Sequence, residues 1–273
     1  MKSKFSPDKK RNIIKLGYSY LEHYFKGNTR HGIHSPFLYN LLSNCIYFNI
    51  PSKEFEDIEK QRKRLKSTKE TIKVSDLGSQ KSKKSYGEDF RSISGIAKSS
   101  LKNRKHAILL HKIAHYFECD NILELGTSFG ITTSYLSKAR PHANIDTLEG
   151  CPQIASEAQQ VFKSLNLKNI TLHTGNIDEL LQQVIDKIKA PDLVFIDANH
   201  TYQATMKYFN ILLKYKKENT ILIIDDIHWS PGMEKAWREI CSCPEVTVTI
   251  DLFFMGVVFF KKGLSKENFV IRY

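Results

Sequence analysis

The segment from Asn121 to Leu136 constrains this chain more than any other. Its short apolar run, Ile122 to Leu125, reads as a buried strand, and a helix opens near Ile131. Between them Gly126 and Gly130 bound a turn in which the backbone can bend sharply and come close to a ligand that a Cβ would obstruct. The amides of Thr127 to Ile131 then face outward from a helix N-terminus, a place for an anionic or polar group. A strand, glycine turn and helix in that order form the first unit of a nucleotide-binding α/β sheet. The spacing is Glu-x-Gly-x-x-x-Gly, without the third glycine that brings a pyrophosphate close.

From Asn121 onward strands and helices alternate. Apolar strands at 122–125, 144–149, 170–173, 193–196 and 220–224 are separated by helices ending near 137, 165, 188 and 215. A further helix follows Ser230-Pro231, a favoured start. Two last strands, 246–250 and 256–260, are joined by so few residues that only a hairpin connects them. The expected architecture is α/β: a Rossmann-like, doubly wound, mostly parallel seven-stranded sheet with an antiparallel last strand, preceded by an N-terminal helical extension. The division falls at residue 104, with 1–104 as extension or cap and 105–273 as the core domain.

The extension carries the charge. Of the net +12, residues 1–105 hold 24 Lys and Arg against 10 Asp and Glu, and the remainder 17 against 19. Such asymmetry can signal nucleic acid, an acidic surface or an anionic substrate, although mixed-sign runs such as Glu54 to Lys66 read more simply as a solvated helix face. Aromatic residues at helical spacing (Tyr18, Tyr20, Tyr24, Phe25, Phe37, Tyr39) read first as the core of a helical subdomain and second as a lid or partner face. The Ser-, Lys- and Gly-rich stretch 78–89 reads as a mobile loop, either lid or linker. Five scattered cysteines are expected to be reduced and structural. The basic start is followed by no apolar signal segment, and no run is long enough to cross a bilayer, so a cytoplasmic location is expected.

Every strand of the series ends in polar residues, where sheets of this kind bind ligands. These are Glu124 with Gly126, Glu149 with Gly150, Gly175 with Asn176, Asp197 to His200, and Asp225-Asp226 with His228. Glu149 lies 23 residues beyond Gly126, where an acid accepts hydrogen bonds from a ribose diol. With the glycine turn and the closing hairpin, this set resembles the class I S-adenosylmethionine-dependent methyltransferases over about Lys105 to Lys262. The resemblance implies that Gly126, Thr127, Ser128 and Gly130 line the methionine part of S-adenosylmethionine, that Glu149 takes the ribose, and that Gly175 and Asn176 border the adenine. It also implies that Asp197 borders the cofactor, with Glu124 on the cofactor side too and expected mainly to orient the glycine turn.

Within that family, Phe195 to Tyr202 and Asp225-Asp226 resemble the cation-dependent O-methyltransferases of the catechol and macrolide-sugar kind. This implies a metal held by Asp197, Asp225 and Asp226, with Mg²⁺ the expected ion for hard oxygen ligands. Asp197 and His200 are the implied catalytic pair, His200 as base with His228 a weaker candidate. The expected reaction is metal-assisted O-methylation of a small-molecule or sugar hydroxyl, and a homodimer is compatible with it. Two alternatives stay open: metal-free or nucleic-acid-directed methylation using the basic extension, and a non-catalytic binding module. The nucleic-acid reading is less favoured, because Asp197-Ala-Asn-His200 differs from the Asn/Asp-Pro-Pro-Tyr of amino-methylating nucleic-acid enzymes.

Overall fold

A computed structural model describes residues 7–29, 32–74 and 89–273. Most of the 78–89 stretch lies outside the described residues. The N-terminal part contains α1 (Pro7–Lys26), α2 (Pro36–Leu41, running on into a π turn, Leu42–Ile46) and α3 (Glu56–Ser67). Strands β1 (Thr71–Val74) and β2 (Asp89–Ser92) form an antiparallel pair, and α4 (Ile93–Ser100) and α5 (Arg104–Tyr116) follow. Then come β3 (Asn121–Leu125), α6 (Ile131–Ala139), β4 (Asn144–Glu149), α7 (Pro152–Ser164), β5 (Ile170–Thr174) and α8 (Ile177–Ile188). The chain continues through β6 (Leu193–Ile196), α9 (Tyr202–Leu213), β7 (Ile221–Asp225), α10 (Pro231–Ser242), β8 (Val248–Asp251), β9 (Met255–Phe259) and β10 (Glu267–Val270).

The main sheet runs β10-β8-β9-β7-β6-β3-β4-β5. β3 lies between β4 and β6 and is parallel to both, so the chain reverses its direction of growth there and a crevice opens at the carboxyl ends. The α/β architecture is as expected, with one correction. The sheet has eight strands, because Glu267–Val270 adds parallel to β8. The antiparallel strand is the expected one, 256–260, seen as β9 and inserted between β7 and β8. β6, β7 and β9 are buried at every position, as strands covered on both faces must be.

Among the described residues the N-terminal elements share the core of the sheet rather than forming a separate one. Leu38, Leu41, Leu42 and Ile46 pack with Leu109, Ile122 and Phe195. Phe55, Ile58, Leu65 and Ile96 pack with Phe129, Ile131 and Tyr135. The division at residue 104 therefore remains a proposal about the chain's organisation. The aromatic stripe divides: Tyr20 meets the Phe253 ring edge-on at 5.0 Å, whereas Tyr18 and Phe25 are exposed. All five cysteines are free. Among the described residues no helix is long and apolar enough to cross a membrane.

Candidate active site

Strand register places the polar ends side by side. Leu125 pairs with Leu148 and with Ile196, and Ile196 pairs with Ile224, so Gly126, Glu149, Asp197 and Asp225 emerge along one edge. There they border a cleft of about 600 Å³ whose lining includes Gly126, Ser128, Glu149, Asn176 and Asp197. That size suits a small-molecule site. The opposite wall comes from β2 and α4, with Arg91, Ile96 and Ser99. α4 starts at Ser92, whose hydroxyl accepts the Gly95 amide at 3.1 Å.

The turn after β3 is held from several sides. Gly126 has φ 100°, and a Cβ there would collide with the Asp197 carbonyl of the neighbouring strand end. Gly130 has φ 73°, and its Cβ would enter the Phe162 ring on α7. Both glycines therefore answer to packing against protein, and Gly126 also lines the cleft. Ser128, at φ 48°, donates its amide to Glu149 Oε2 at 2.8 Å, while Glu149 Oε1 accepts from the Cys151 amide at 3.0 Å. Burial raises the Glu149 pKa against these amides, which favour the ionised form. Thr127 and Thr147 share a hydroxyl hydrogen bond of 2.6 Å. Thr133 and Thr147 donate to Glu124 Oε2 at 2.5 and 2.7 Å, leaving the buried Oε1 without a partner. Burial pushes the Glu124 carboxyl up to about 8. Gly175 (φ 147°) leads to Asn176, which caps α8 by accepting the Asp178 amide at 3.0 Å and also lines the cleft.

Beyond the cleft, Asp197, His200 and Asp225 each bring one ligand-type atom within 4.8 Å of the others. Asp226 is not among them; its backbone turns to φ 54° and its amide donates to the Phe254 carbonyl at 2.7 Å. His200 Nε2 stands 3.4 Å from Asp197 Oδ1. His228 lies elsewhere, 2.8 Å from Asp251 Oδ2, and Asp251 Oδ1 takes His23 of α1 at 2.9 Å.

The sequence reading did not anticipate Lys102. Its Nζ donates to Asp225 Oδ2 and lies 3.4 Å from Asp197 Oδ2. Its side chain is 11% exposed and that of Asp225 1%. Burial alone would lower the Lys102 pKa, but the Asp197 and Asp225 carboxylates outweigh it and hold the ammonium above its usual range. Burial would likewise raise Asp197, yet the Lys102 charge and the His200 contact bring it down to about 2. Asp225 moves well upward through burial and the adjacent Asp197. For His200, burial lowers the pKa, and the Asp197 hydrogen bond and charge raise it overall. The donor set therefore does not suit a divalent ion as the chain stands, because the Lys102 ammonium sits against one oxygen of each carboxylate.

Comparison with known proteins agrees with the fold and the strand-end motifs. Residues 123–227 match the methyltransferase domain family. A catechol O-methyltransferase of Niastella koreensis is 30% identical over 121 residues, 43% of this chain and 54% of that protein. A tRNA (guanine-N(7)-)-methyltransferase of Mycoplasma mobile is 32% identical over 113 residues, 40% of this chain and 56% of that protein. The chain thus spans about half the length of these curated relatives. Among solved structures, the SAH-bound methyltransferase PaMTH1 of Podospora anserina shares the fold with a TM-score of 0.58 at 15% identity, over 84% of this chain and 97% of that one. Family match, relatives and fold together support the resemblance to class I S-adenosylmethionine-dependent methyltransferases, close to the O-methyltransferases.

Proposed function

We propose that this chain transfers a methyl group from S-adenosylmethionine to a hydroxyl oxygen of a small molecule. The observation that carries the reading is the join between two sites: the Glu149-rimmed cleft shares Asp197 with the Lys102–Asp225–His200 group. The cleft suits the donor chemically, since Glu149 and Asp197 present carboxylates toward a cationic ligand bearing a diol. When bound, the donor supplies an electrophilic methyl on a sulfonium.

Ser128 and Cys151 fix the Glu149 carboxylate through their amides, so its lone pairs are aimed before any ligand arrives. Asn176 borders the far end. On the acceptor side, with Nε2 turned to Asp197, the other imidazole nitrogen of His200, Nδ1, would take the proton that the hydroxyl loses on methylation. Asp197 holds that imidazole and stabilises the imidazolium formed. The two relatives carry names for different acceptors, a catechol and a tRNA guanine. A carboxylate-backed histidine suits a hydroxyl, which must lose a proton on transfer, so the small-molecule O-methyl reading is preferred.

The test is transfer of labelled methyl from S-adenosylmethionine to a panel of catechols, sugars and RNA. A hydroxylated small molecule is expected to be labelled, and His200→Ala to lose about 10²–10⁴-fold in rate while S-adenosylhomocysteine affinity holds. Labelling of RNA alone would contradict the reading.

A further inference from the structure

We propose that the Lys102 ammonium holds the position between Asp197 and Asp225 that a divalent cation would need, making this chain's methyl transfer independent of metal. The inference rests on the proposed methyltransferase reading but depends on different atoms. Lys102 Nζ contacts Asp225 Oδ2 and lies 3.4 Å from Asp197 Oδ2, the two carboxylates that approach His200. An ion binding there would meet a fixed positive charge at contact range in a buried setting, where repulsion is poorly screened.

The lysine is delivered by a pinned link between α4 and α5. The Lys102 carbonyl accepts from Arg62 Nη1, and Arg62 is itself held by Glu59 at 2.9 Å. One residue on, Asn103 caps α5 by accepting the His106 amide at 2.9 Å. Two residues back, the Ser100 hydroxyl meets the Ser128 hydroxyl of the glycine turn at 3.0 Å. Swinging Lys102 out would strand two adjacent carboxylates, one of them with an oxygen already lacking any partner, Asp225 Oδ1. Lys102 is therefore a positioning residue: it neutralises Asp197, which orients His200, together with the neighbouring Asp225. The same link joins α4, which walls the cleft, to the acids, so a donor seated in the cleft and the acceptor's base share one support.

Removing the ammonium would expose two carboxylate oxygens and an imidazole, a competent Mn²⁺ set. The experiment is an electron paramagnetic resonance titration of Mn²⁺ with the full chain, scoring loss of the free-ion signal. Wild type is expected to leave that signal undiminished, Lys102→Ala to remove one equivalent, and Lys102→Ala/Asp225→Asn to restore it. Lys102→Gln, which keeps length without charge, carries the same expectation if the alanine variant does not fold. Uptake of one equivalent by wild type, abolished by Asp225→Asn, would overturn the proposal. So would folded Lys102 variants that take up none, since the acids would then be no cation site. S-adenosylhomocysteine calorimetry on the same samples separates the readings: its failure in wild type would defeat the methyl-donor assignment and leave the Mn²⁺ result standing.

Discussion

Replacing Gly130 by alanine tests whether the glycine turn is built for protein packing. At φ 73° an alanine pays the left-handed penalty of about 1–2 kcal/mol. Its Cβ would also come within 2.6 Å of two Phe162 ring carbons and 3.3 Å of Ala158 Cβ, and overpacking of that kind costs about 1–3 kcal/mol. Phe162 is buried on α7 and cannot simply swing outward. The sum, about 2–5 kcal/mol, is a large fraction of the ~5–15 kcal/mol that ordinarily holds a domain together. The assay is urea unfolding of wild type, Gly130→Ala, Phe162→Ala and the double variant. Phe162→Ala alone should cost about 3–5 kcal/mol, but it vacates the space the new Cβ needs. The double variant should therefore be more stable than additivity allows by about 1–3 kcal/mol. Additivity within about 0.5 kcal/mol would refute the packing argument. A stable Gly130→Ala that loses S-adenosylhomocysteine would refute it too, by restoring direct approach to the ligand.

Glu124 and His228 give predictions with the same sign in pH, since both folded-state pKa values are raised and both contributions are lost as pH climbs. The buried Glu124 is raised to about 8 from a free value of about 4.3, so across that window the native state keeps a proton the unfolded chain has lost. Stability should fall as pH rises from about 4.3 to 8, by on the order of 3–5 kcal/mol, and Glu124→Gln should remove that slope from the difference curve; parallel curves would exclude it. His228 is raised, burial being outweighed by Asp251, so its contribution is full below about 6.5 and lost as pH climbs through the folded value. His228→Gln should cost about 1–2 kcal/mol at pH 5.5 and clearly less at pH 8.5, and an equal cost at both would count against a charged clamp.

The legibility of the chain follows its physics. β4, α8 and β6 lie at the residues their patterns mark, because a largely alternating strand, an amphipathic helix and a fully apolar strand carry strong signals. α4 escapes notice: its apolar residues, Ile93, Ile96 and Ala97, sit in a short Ser- and Lys-rich stretch with a glycine inside. β10 is an edge strand only partly buried, so its four residues show no apolar run. At the site, Gly126, Ser128, Glu149, Asn176 and Asp197 converge on one cleft, as strand-end position alone suggests. Lys102 does not announce itself, being one lysine among many in a basic third of the chain. Its role depends on the α4–α5 link crossing over the acids, a tertiary fact with no local pattern. Nor does a glycine in a turn disclose whether ligand or protein fills the space beside it; Phe162 and the Asp197 carbonyl settle that here.

The most direct measurement is calorimetric titration of the folded chain with S-adenosylhomocysteine, alongside Glu149→Ala. The account predicts one site per chain, weakened about 10–100-fold by the substitution, which removes the acceptor of the Ser128 and Cys151 amides together with the proposed ribose contact. A folded wild-type protein that binds none at millimolar ligand would contradict it.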